Sequence, residues 1–332
     1  MPIGFQKTDE SKIYSFSVTV PEKSPDFSPV RIKEIDEQLL QFPKDAQLYV
    51  DKAAIYAVQG QFFESIRTLD ESIKNTDPTM EIHGLMGEVL SKLDRHEEAL
   101  DHFLLAEKFN TSDARIQNDM AICLYNTGKH EQAVKRHAKA IQLEPKNGTW
   151  LTNFGSTHMY MENYDEAIEC LRKASEIQPE DDDIFVRLGM AYLFKDKFDN
   201  GLKCFRNAVR ISPENIENHK LVASCLSDMK RNSEAVESIK CALQINETAE
   251  LYFTLGKYKN ELKLWKDTED AFRKAIKLGS DEPDIKVYLA VAVSNQKRPK
   301  EGLEILKELL KFEPNHKLAN EIYLQIESFK MK

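Results

Sequence analysis

Small and large apolar residues recur along this chain in a fixed frame. Ala53, Gly87, Ala121, Gly155, Gly189, Ala223, Gly256 and Ala290 stand 34 residues apart, with one step of 33 between Ala223 and Gly256. A second ladder of small residues follows 12 positions later: Ser65, Ala99, Ala133, Ala167, Gly201, Ala235, Thr268 and Gly302. A third comprises Ser72, Ala106, Ala140, Ala174, Ala208, Ala242 and Ala275, and breaks at Leu309. Between the ladders lie large apolar residues, such as Leu151, Phe154, Ile168, Leu171 and Ile177, then Phe185, Leu188, Tyr192, Phe205, Val209 and Ile211. Spacings of three, four and seven give each segment one apolar helical face. Helices approach closely only where side chains are short, so the ladders mark contact lines, one on the first helix of each pair and two on the second. Pro145, Pro179, Pro213 and Pro314 punctuate the ends, because proline does not continue a helix interior.

A period near 34 predicts a helix–turn–helix solenoid. Eight repeats, starting near positions 46, 80, 114, 148, 182, 216, 249 and 283, cover residues 46–316. The first departs most, with Lys52 and Ser65 where apolar or Ala is usual, and the last carries Leu309 in a small slot. Terminal repeats have one neighbour only, so this loosening is expected. One repeat reads Leu188-Gly189, Tyr192, Gly201, Phe205, Ala208 and Pro213, and another Leu255-Gly256, Phe272 and Ala275. On these residues the chain resembles the tetratricopeptide repeat (TPR) family. The resemblance implies an all-α fold: a right-handed α-solenoid of about eight TPR helix–turn–helix units with a C-terminal capping helix. It also implies a protein-binding adaptor or scaffold whose first helices line a concave groove.

The ends fall outside the frame. Residues 1–30 contain Pro2, Pro21, Pro25 and Pro29 and read as an extended or partly disordered segment. Within it Tyr14, Phe16, Val18 and Val20 alternate with Ser15, Ser17 and Thr19, a period of two. Residues 13–20 are therefore a candidate for contact with the chain's own groove, or for pairing with a partner strand. Residues 31–45 read as an N-terminal capping helix with Ile32, Ile35, Leu39 and Leu40 packing on the first repeat. Residues 317–332 read as a C-terminal capping helix with Leu318, Ile322, Ile326 and Phe329 in one stripe. Glu321, Gln325, Ser328 and Lys332 lie off that stripe, and a one-sided helix suits the open end of an array.

Composition narrows the function. Net charge is −9, from 46 basic against 55 acidic residues, which argues against a nucleic-acid or anionic-membrane binder. Lys135, Arg136 and Lys139 cluster locally but read as a solvated helix face. Five cysteines, Cys123, Cys170, Cys204, Cys225 and Cys241, form no CxxC pair and fall in helices. There they act as small apolar residues, as in a reducing, cytoplasmic setting. No run approaches 18 apolar residues and no basic-then-apolar leader opens the chain, so neither membrane insertion nor a signal peptide is expected.

Catalytic patterns are missing, and the chain reads as non-enzymatic, without cofactor or metal. No GxGxxG or GxxxxGK[ST] occurs. His96-Glu97 and His130-Glu131 lack the second His of a zinc protease, with Leu100 and Val134 in its place. Ser156 and His158 lie mid-helix with no strained elbow, and His137 and His158 occupy slots that are apolar in neighbouring repeats. Glu180-Asp181-Asp182-Asp183 opens a helix, where carboxylates meet orphan N–H groups.

First-helix residues that serve neither ladder nor apolar seam are the candidate groove. In the third repeat they are Asn118, Asp119, Ile122, Tyr125 and Asn126, with Arg115. The fourth repeat adds Thr152, Asn153, Ser156, Met159 and Tyr160. The fifth adds Val186, Arg187, Met190 and Phe194, with Asp183 and Leu193. Methionine and aromatic groups suit an adaptable peptide surface, and asparagine amides suit a peptide backbone. The competing reading has some of them packed between adjacent first helices.

The chaperone-tail clamp known in TPR proteins needs two Lys, two Asn and an Arg, and it matches poorly. Asn153 and Arg187 fit, but Asn118, Ile122 and Asp183 stand where Lys, Asn and Lys belong. A co-chaperone role therefore ranks last. An asparagine ladder is incomplete, with Asp51, Leu85, Asp119, Asn153, Arg187 and Leu221 in its slot. The alternative to a peptide-binding adaptor is a structural subunit of a larger multiprotein complex.

Overall fold

The structure is a computed structural model that describes residues 29–280, 282 and 284–330. Every regular element among them is a helix. The period-two stretch at residues 13–20, the side chain of Phe329 and Lys332 lie outside the described part.

The helices form two compact bodies that divide between Pro179 and Glu180. The N-terminal body holds α1 (Pro29–Gln41) and four helix pairs. The pairs are α2 (Ala46–Val58) with α3 (Phe62–Asn75), α4 (Met80–Lys92) with α5 (His96–Phe109), α6 (Ala114–Asn126) with α7 (His130–Leu143), and α8 (Gly148–Tyr160) with α9 (Tyr164–Ile177). The C-terminal body holds four more pairs and a final helix. These are α10 (Asp182–Phe194) with α11 (Phe198–Ile211), α12 (Ile216–Asp228) with α13 (Asn232–Ile245), α14 (Ala249–Glu261) with α15 (Trp265–Lys277), α16 (Ile285–Asn295) with α17 (Pro299–Phe312), and α18 (Lys317–Lys330). The last first-helix starts at Ile285, two residues beyond the position the period gives, and has 11 residues where the others have 13.

Local chemistry sets each pair. Asp45, Thr79, Asp113, Asn147, Asp181, Asn215 and Thr248 cap the first helices by accepting backbone N–H groups. The acidic run at 180–183 thus has the predicted structural role, with Asp181 Oδ1 accepting Asp183 N at 3.1 Å. Each first helix ends in a left-handed residue, at Gly60, Asp94, Gly128, Glu162, Asp196, Lys230, Lys263 and Lys297. The bonds Gly60 N→Ala57 O (3.0 Å) and Gln61 N→Tyr56 O (2.8 Å) are those of a Schellman turn, which reverses the chain into the second helix.

All eight residues of the first ladder and all eight of the second are buried. Glycine there admits bulk: a Cβ on Gly189 would stand 2.6 Å from Phe205 Cε1, and one on Gly256 would stand 2.5 Å from Phe272 Cε1. In the N-terminal body one continuous cluster runs from Val50 through Met86, Phe103 and Met120 to Ala133. In the C-terminal body successive clusters centre on Phe205 and Ile239, on Phe272 and Leu289, and on Leu306 with Ala319.

At the ends, α1 packs on α2 through the buried Ile35, while Leu40 is 85% exposed and does not join the contact expected of it. α18 packs on α17 and α16 through Ala319 and Ile326, with Leu318 and Ile322 half-buried.

Candidate partner-binding face

In the N-terminal body the first helices α2, α4, α6 and α8 are consecutive neighbours. Their shared face carries a polar ladder. The Arg115 guanidinium on α6 donates to the Glu88 carboxylate on α4. One turn on, Asn118 Nδ2 donates to Asp119 Oδ1 at 3.0 Å, and Asn118 Oδ1 accepts Asn153 Nδ2 of α8 at 3.1 Å. Burial, with Glu88 nearby, pushes the Asp119 carboxyl up to about 8. Burial also lowers Lys92, against the pull of Asp119 and Glu88. Beyond the ladder, towards the helix C-termini, the Tyr125 and Tyr160 rings lie 5.6 Å apart, and Met159 is half-buried beside Tyr160 in sequence.

The expected groove residues therefore divide. Asn118, Asp119, Ile122, Thr152, Asn153 and Ser156 are buried, which corrects their placement on an open wall. Their polar atoms bond within the fold: Thr152 Oγ1 to Gly148 O at 2.9 Å, Ser156 Oγ to Thr152 O at 3.0 Å, and the asparagines to each other. Tyr125, Met159 and Tyr160 are half-buried, and Asn126 is exposed. In the C-terminal body Val186, Arg187 and Met190 are half-buried, Leu193 is buried, and Phe194 is 42% exposed. Arg187 Nε pairs with Asp183 Oδ2 at 2.6 Å, so this Arg already answers a carboxylate.

Glu88 and Lys92 were not among the expected residues. They stand in the same places of the second repeat as Ile122 and Asn126 in the third, so the repeat frame would have found them. The basic cluster resolves into ion pairs. Arg136 Nη1 and Lys139 Nζ reach Glu107 Oε1 at 2.5 and 3.1 Å, with Gln117 Nε2 at 2.8 Å. Burial opposes its charge, yet these hydrogen bonds hold the Glu107 carboxyl at about 2. The cysteines form no disulfide, and burial pushes the thiols of Cys170, Cys204 and Cys225 up to about 11 and that of Cys123 to about 12. Among the described residues, no group of three or more His, Cys, Asp or Glu could hold a metal ion, and no helix is long and apolar enough to cross a membrane.

Paired helices repeated along the chain define an α-helical repeat protein. The tetratricopeptide repeat models match residues 112–180 and 182–215. Residues 112–180 and 182–215 are thus tetratricopeptide repeats, and the other helix pairs share their period. A tetratricopeptide repeat protein from Parabacteroides merdae ATCC 43184 is similar in fold, at 18% identity and a TM-score of 0.52 over 75% of this chain and 98% of that one. MamA 41-end from Desulfovibrio magneticus RS-1 (20% identity, TM-score 0.46) aligns over 50% of this chain and 94% of its own. YrrB, described as a TPR protein with an unusual peptide-binding site (20%, TM-score 0.41), aligns over 66% and 96%. No curated protein matches the chain significantly.

Proposed function

We propose that the chain is a non-enzymatic adaptor that holds an extended or helical segment of a partner protein on the first-helix face. The carrying observation is the α6–α8 surface, where the half-buried Tyr125, Met159 and Tyr160 lie near the helix C-termini with the exposed Asn126. Aromatic and thioether groups supply adaptable apolar contact, and the buried Asn118–Asn153 hydrogen bond ties α6 to α8. The same reading extends to Val186, Arg187, Met190 and Phe194 in the C-terminal body. The free cysteines with raised thiols suit a reducing, cytoplasmic setting.

The test is affinity capture with wild type, Met159→Glu and Asn126→Glu. Asn126 is exposed, so its substitution leaves the core intact. A partner lost from both variants supports the reading, and equal recovery from all three removes this face. A second reading, a structural subunit of a larger complex, is favoured by bulk on the second helices: Phe63 is 74% and Phe109 56% exposed. Phe109→Lys would then abolish assembly while Met159→Glu would not.

A further inference from the structure

We infer that the outward face of α5 pairs with the same face of a second copy of this chain, the two helices running antiparallel about Leu104–Leu105. The inference is independent of the first-helix face, because α5 is a second helix.

The first argument comes from the repeat frame. The two residues before each position of the third ladder form eight pairs, and seven of them carry a charge. Asp70-Glu71 on α3 and Arg172-Lys173 on α9 are such pairs, and both are exposed. The eighth pair is Leu104-Leu105 on α5. Leu104 is 44% and Leu105 36% exposed. Adjacent apolar side chains in a slot that every other repeat keeps charged are the mark of a surface that a contact covers.

The second argument is charge. Asp101 lies one turn before the leucines and Lys108 one turn after them, on the same outward stripe. Both are exposed, and neither has an ion-pair or hydrogen-bond partner among the described residues. The other charges of the helix are taken up within the chain, Glu98 by Arg95 and Glu107 by Arg136 and Lys139, except for Glu97. Glu97 is exposed a turn before Asp101 and strengthens the negative end of the stripe. The stripe thus reads negative, apolar, positive. A parallel second copy would set Asp101 against Asp101 and Lys108 against Lys108. An antiparallel copy, related by a two-fold axis through the middle of Leu104–Leu105, sets each Asp101 against the other copy's Lys108. By the helical rise, both residues of such a pair stand about 5 Å along the helix from that axis. A uniformly basic helix from another protein would satisfy Asp101 and repel Lys108. A stripe that complements itself under a two-fold therefore selects a second copy.

The test is sedimentation velocity of the full-length chain from about 1 to 200 μM at low ionic strength, where exposed ion pairs are least screened. A contact made by one helix is small, so wild type passes from monomer to dimer in the micromolar range. Leu104→Glu/Leu105→Glu stays monomeric, with an unchanged thermal midpoint because both positions are exposed. Asp101→Lys and Lys108→Asp each weaken the dimer about tenfold, since the two-fold turns two attractions into two repulsions. Asp101→Lys/Lys108→Asp regains wild-type affinity, and an equimolar mixture of the two single variants associates as a heterodimer. Net charge alone would move the single variants in opposite directions, because one change lessens the −9 of the chain and the other adds to it. A wild type that is monomeric throughout, a dimer indifferent to Leu104→Glu/Leu105→Glu, or single variants that shift oppositely overturns the inference. A monomeric wild type that captures another protein through Leu104 and Leu105 overturns it in favour of a foreign occupant.

Discussion

At the first ladder the chain matches missing bulk on one helix to bulk on the next. Sixteen residues after Gly87, Gly189 and Gly256 come Phe103, Phe205 and Phe272, and after Ala53, Ala223 and Ala290 come Leu69, Ile239 and Leu306. Each of these large residues is fully buried. Gly155 takes Leu171, whose Cγ would lie 2.7 Å from an added Cβ. The ladder of small residues is plain in the sequence because two residue types fill it. Its partner ladder is hidden, because Phe, Leu, Ile and His share only a position. Gly189→Ala tests the pairing. Helix propensity alone would favour Ala by about 1 kcal/mol, but forcing the Phe205 ring aside costs about 1–3 kcal/mol. Urea unfolding should show net destabilisation. In a Phe205→Ile background, which reproduces Ala223 with Ile239, the same change should become neutral or stabilising, with a coupling of about 1 kcal/mol or more. Additive single effects would refute the pairing.

At the scale of one helix, an open face and a packed one carry similar polar residues. In the N-terminal body a first helix such as α6 meets its own second helix α7, the preceding second helix α5 and the first helices α4 and α8. Polar residues one turn apart can therefore serve either purpose, and the sequence of Asn118, Asp119 and Asn153 fits an open wall as well as the buried ladder they form. Their burial has a pH signature, as has that of His137. Burial lowers His137 to about 3, with neither ring nitrogen partnered among the described residues. The unfolded chain then binds the extra proton, so His137 subtracts stability as pH falls from about 6.5 towards 3. Asp119 works in the opposite sense. Its folded value of about 8 lies above the ordinary carboxylate range, so its contribution is present at low pH and fades as pH rises from about 4 to 8. Thermal melts across pH 4–8 should separate the two. Asp119→Asn should gain on wild type as pH rises, most clearly between 6.5 and 8. His137→Leu, which copies the Ala53–Leu69 pair, should gain on wild type as pH falls below 6.5. Parallel melting curves for all three chains would contradict both burials.

Within each body, stability is distributed among neighbours, because each pair packs mainly on the pairs beside it. The C-terminal body shows the consequence at α18. Ala319 and Ile326 cover a cluster of Val287, Ala290, Leu303, Leu306 and Leu309, and Leu309 fills a place that earlier repeats give to Ser or Ala. The break in the third ladder is thus readable as an adaptation to a covering helix that is not itself a repeat. A charge placed under that helix should act locally. In Ile326→Asp, burying an unpaired carboxylate is costly enough to detach α18 from α17 and α16. Native-state hydrogen exchange should then speed up in α16 and α17 and stay near wild-type rates in α11, α12 and α13, since losses in a linear array decay over a repeat or two. Uniform acceleration from α10 to α17 would instead describe one cooperative core, and the nearest-neighbour account of this body would have to be given up.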